Sequence, residues 1–87
     1  MPDTRFSVWQ FLDDGSGGTI SEPVRHFVPL EEAMRAFIHY IDNVAAKTLK
    51  ITQRVIMTDE GDYICMEWKR GEGITFPPDL KGGFNHV

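Results

Sequence analysis

The chain reads as two stretches of alternating polar and apolar residues, separated by one stretch of helical period. Over residues 5–12 the alternation puts Phe6, Val8 and Leu12 on one face and Ser7, Trp9 and Phe11 on the other. A period of two, rich in aromatic and β-branched residues, predicts a strand. Asp13-Asp14-Gly15-Ser16-Gly17-Gly18 follows. It predicts a turn, because Asp bonds nearby backbone N–H groups and Gly accepts positive φ. A second strand over residues 19–28 groups Ile20, Val24 and Val28 against Ser21, Arg25 and Phe27. Pro23 has no N–H to donate, which places this strand at a sheet edge or breaks it at a bulge.

The period then changes. Over residues 29–48, Leu30, Met34, Phe37, Ile38, Ile41, Val44 and Ala45 recur at helical spacing, with Glu31, Glu32, Arg35, His39, Asp42 and Asn43 opposite. Pro29 suits a first helical turn. Acids at the start and Lys47 and Lys50 at the end match the macrodipole. Alternation returns over residues 49–58, with Leu49, Ile51, Val55 and Met57 against Lys50, Thr52, Arg54 and Ile56. Asp59-Glu60-Gly61-Asp62 predicts a hairpin turn with Gly61 left-handed. A fourth strand over residues 63–70 carries Ile64, Met66 and Trp68 on one face. From Gly71 the pattern fails, leaving a Gly/Pro-rich arm over residues 71–87 whose apolar patch, Ile74-Thr75-Phe76, is placed to dock back.

These elements predict one α+β domain over residues 1–70. Its form is ββαββ: a four-stranded antiparallel sheet in the order 2-1-3-4, with the helix on one face and an irregular C-terminal arm. A right-handed crossover fits that order. One helix covers one sheet face only. The other face is predicted to hold Trp9, Phe11 and Phe27 beside Arg25, Lys50 and Arg54.

Composition narrows the function classes. The chain has 87 residues, 41% of them hydrophobic, and a formal net charge of -4. That describes one small globular core, and a mildly acidic total opposes bulk binding to nucleic acid or anionic membrane. One cysteine, Cys65, excludes an internal disulfide. The first residues show no basic stretch followed by an apolar run, so no signal peptide is read there. No segment reaches the roughly 20 apolar residues of a membrane span. The expected setting is cytoplasmic.

Candidate chemistry is sparse. No two of His26, His39 and His86 have the three- or four-residue spacing of zinc ligands on a helix. The two acidic turns lack the twelve-residue calcium loop and its terminal Glu. Ser16 lies in a glycine turn, not at a strand-to-helix junction, and no glycine-rich phosphate loop leads a helix. No catalytic, cofactor or metal residue is assigned. The run Ile51-Thr52-Gln53-Arg54-Val55-Ile56-Met57-Thr58-Asp59, followed by Glu67-Trp68-Lys69 and Gly71-Glu72-Gly73, resembles small uncharacterised bacterial proteins over the C-terminal half. That resemblance implies no activity and transfers no site residue.

The expectation is a non-enzymatic interaction module, homodimeric through the sheet face or edge that the helix leaves uncovered. Two alternatives stand beside it. Single-stranded nucleic acid would stack on Trp9, Phe11 and Phe27 and neutralise its phosphates on Arg25, Lys50 and Arg54. An acidic rim including Asp59 and Asp62 would instead suit a small inhibitor of a basic partner.

Overall fold

The computed structural model describes residues 4–76. Its elements are β1 (Phe6–Asp13), β2 (Thr19–Val28), α1 (Leu30–Asp42), α2 (Val44–Lys47), β3 (Thr52–Thr58), β4 (Ile64–Lys69) and β5 (Gly73–Thr75). The sheet order is β2-β1-β3-β4-β5, antiparallel throughout. The sequence-derived order 2-1-3-4 holds, and a fifth strand is added to it. Among the described residues no helix is long and apolar enough to cross a membrane.

The core follows from the alternation. Val8, Val55 and Met57 point to the helix side, where they meet Ala33, Ala36 and Phe37 of α1, all nearly or fully buried. The two alanines bring the helix close to the sheet, so Phe37 is fully buried. A side chain of this kind contributes about 1.5–3 kcal/mol by leaving water. α1 packs on β1, β3 and β2. Phe6, Val24, Val28, Met66 and Trp68 extend the core at its margins.

Several local expectations are corrected. The helix is not continuous over residues 29–48. Asn43 is extended, with φ -84° and ψ -178°, and its side-chain oxygen accepts from Ala46 N–H at 3.0 Å. An Asn that caps a new helix competes with continuing the old one. Of the predicted apolar stripe only Phe37 is fully buried, while Leu30, Ile38 and Val44 are exposed. Leu49 and Ile51 precede β3 and are also exposed. In the second hairpin turn Asp62, with φ 64°, takes the left-handed position instead of Gly61. Asp59 explains the turn, since its side-chain oxygen accepts from Gly61 N–H and Tyr63 N–H at 2.8 and 3.1 Å. The expected arm over residues 71–87 begins with order: Gly73–Thr75 pairs with β4 as β5. Its remainder, from residue 77, lies outside the described residues.

One side chain ties the far end together. Arg70 follows β4 and donates from Nη2 to the Ala46 and Thr52 carbonyls, both at 2.6 Å, and from Nε to the Thr52 carbonyl at 3.0 Å. Its guanidinium also lies 5.6 Å from the centre of the Trp68 ring. α2, the start of β3 and the end of β4 are thus held by a single cation.

Candidate interaction face

Strand register builds the face opposite the helices. Trp9 stands between Pro23 and Ile56, and Ile56 pairs with Glu67. In the next row Phe11 stands between Ser21 and Arg54, and Arg54 pairs with Lys69. Both helices pack on the other side, so among the described residues no element covers these two rows. Trp9 and Phe11 are half-buried, and Ile56 is buried between its neighbours.

Arg54 is engaged twice. Its Nε donates to Oε2 of Glu67, and its guanidinium lies 4.9 Å from the centre of the Phe11 ring. The Glu67 side chain is only 14% exposed. Removing Arg54 alone would therefore strand a largely desolvated carboxylate. Beyond the pair, Phe11 and Lys69 border an open groove of about 380 Å³.

The six residues proposed from sequence are not all brought together. Trp9, Phe11 and Arg54 share the face. Arg25 does not. Register shifts in β2 place Val24 and Arg25 together opposite Val8, and Arg25 Nε lies 3.6 Å from Glu32 of α1. The inserted residue reverses the alternation, so Arg25 moves to the helix side. Lys50 sits in the connection before β3 with φ 57°, outside the sheet. Phe27 lies in a second irregularity opposite Ser7, with φ 53°, its N–H donating to Ser7 Oγ at 3.1 Å and its ring 4.2 Å from that of His26. Pro23 was the one sequence signal for these bulges, and β2 is both an edge strand and irregular, as a proline requires. Thr52 also changes side, because a shift after Phe11 pairs it with Leu12. Glu67 and Ile56 complete the face.

The charge balance changes with these placements. Of Arg25, Lys50 and Arg54, the cations predicted on this face, Arg54 remains; Lys69 pairs beside it, against Glu67. The acidic turns are engaged with their own backbone. Asp14 accepts from Ser16 N–H at 2.8 Å, Ser16 O–H at 2.7 Å and Gly18 N–H at 3.1 Å. The Ser16 backbone bond, then its hydroxyl, hold the Asp14 carboxyl below its ordinary range. Among the described residues no three His, Cys, Asp or Glu side chains converge as a metal site requires. Burial, with a smaller push from Asp59, raises the Cys65 pKa, which lowers its thiolate fraction. Comparison with family models, curated proteins and solved structures finds no match to this chain.

Proposed function

We propose that this chain is a non-enzymatic protein-interaction module whose working surface is the open sheet face centred on Trp9, Phe11, Ile56 and the Arg54–Glu67 pair. The observation that carries the reading is the composition of that face. Trp and Arg dominate interface energetics when they sit in preorganised, partly desolvated positions. Here Arg54 is fixed on Phe11 and Glu67 before any partner arrives. The same observation weakens the nucleic-acid reading: Arg25 is held by Glu32 and Arg54 by Glu67, so few cations remain to displace counterions from phosphates.

A photo-reactive side chain at Phe11, installed in cells that make the protein, tests this. A discrete protein adduct that disappears with Trp9→Ala, and does not form from Thr48, supports the reading. Salt-sensitive binding of a single-stranded oligonucleotide, lost in Arg54→Ala, replaces it with the nucleic-acid alternative.

A further inference from the structure

Several large apolar side chains away from the sheet face are open to water, and two of them share one stripe of α1. Leu30 and Ile38 are 49% and 48% exposed, and Met34 between them is half-buried. Spaced by four, they form one ridge along α1. Glu31, Arg35 and His39 form the neighbouring ridge, and the groove between the two is a shallow hollow of about 460 Å³ bounded by Met34, Arg35, Ile38 and His39. A groove between adjacent four-spaced ridges receives the four-spaced ridge of another helix, in the packing class that crosses at about 50°.

Charge selects the occupant. Glu31 and Arg35 border the ridge, both exposed. They stand at the spacing of an intrahelical pair, yet neither is in an ion pair among the described residues, whereas Arg25–Glu32, Lys47–Asp42 and Arg54–Glu67 are. A surface used by two identical chains must be self-complementary. When two copies of α1 cross antiparallel about a two-fold axis near Met34, the bordering charges fall on the same side of both helices. Glu31 of each copy then meets Arg35 of the other. An anionic or cationic partner would find one of the two charges opposed.

We propose that α1 is the self-association surface of this protein. The Leu30–Met34–Ile38 ridge of one copy seats in the Met34–Arg35–Ile38–His39 groove of a second, closed by reciprocal Glu31–Arg35 pairs. The self-association expected from sequence at the uncovered sheet face or edge is thereby placed on the helix. Both open sheet faces stay available to other proteins, and the dimer is bivalent toward a partner that repeats its epitope.

The test reads absolute mass by light scattering across a concentration series, with far-UV circular dichroism and thermal melts as fold controls. Glu31→Arg and Arg35→Glu each place like charges across the axis and weaken the dimer by about tenfold. Mixing the two variants restores association, because each now complements the other. Ile38→Glu weakens it by about a hundredfold. A chain that is monomeric at every concentration overturns the proposal and leaves the ridge to a different protein. A dimer that ignores both charge reversals and Ile38→Glu, but dissociates with Trp9→Ala, overturns it in favour of the sheet face. None of these helix variants touches Trp9, Phe11 or Arg54, so failure here is separable from failure of the interaction-face reading.

Discussion

Removal of Arg70 should cost this domain a large part of its stability. Arg70→Ala leaves two backbone carbonyls, those of Ala46 and Thr52, without the cation that reaches them at 2.6 Å. Hydrogen bonds to a charged donor contribute about 1.5–3 kcal/mol each. Arg70 is half-buried, so water replaces part of the loss. The expected cost is about 2–3 kcal/mol, out of a total near 4–13 kcal/mol for a chain of this length. That corresponds to a fall in Tm of roughly 10–20 °C. Urea titration followed by tryptophan fluorescence measures it, because the Trp68 ring lies against Arg70. Arg70→Lys supplies a single donor point and should recover less than half of the loss. A cost below about 0.5 kcal/mol, or a lysine variant as stable as the parent, would refute the clamp.

Three further outcomes follow from local geometry. Lys50 holds φ at 57° with an exposed side chain, so Lys50→Gly should raise stability by about 0.5–1 kcal/mol, read as a higher urea midpoint at constant slope. Asp14→Asn keeps the turn acceptor and removes the charge. Because the folded carboxyl is held below its ordinary value of 3.8, its stabilisation is present above that pH and disappears as pH falls through the folded value. The parent should therefore exceed the variant at neutral pH and converge with it in acid, and parallel pH profiles would contradict this. Burial holds Cys65 protonated, so a thiol reagent should modify it slowly at neutral pH and faster only in base, while rapid labelling at pH 7 would show that the strand end opens.

What the sequence made legible divides by periodicity. Thr19–Val28 was placed to the residue, and the split of Trp9 and Phe11 from Phe6 and Val8 holds, because turn residues bound those strands and alternation is unbroken in β1. Arg25 went to the wrong face because a bulge shifts parity without changing composition. Leu30, Ile38 and Val44 were read as core on hydrophobicity, but the helix sits where Ala33 and Ala36 allow close approach, and size at the contact decided that. β5 was invisible because three residues after Gly71 carry no period; β4 recruits them through its open edge. Ile56 was read on one face with Arg54, and the register keeps it there, between Trp9 and Glu67.

The central position of β1 has a consequence for the order of folding events. The β1–β2 hairpin and the β3-β4-β5 meander each form from neighbouring sequence, whereas β1 and β3 pair across a span of about forty residues that includes both helices. Closing that span is the slow, entropically costly event, and everything else zips locally. Substitutions along the seam, such as Val55→Ala, should slow refolding nearly in proportion to the stability they remove. Substitutions in the outer half of β2 should leave the refolding rate almost unchanged and accelerate unfolding instead.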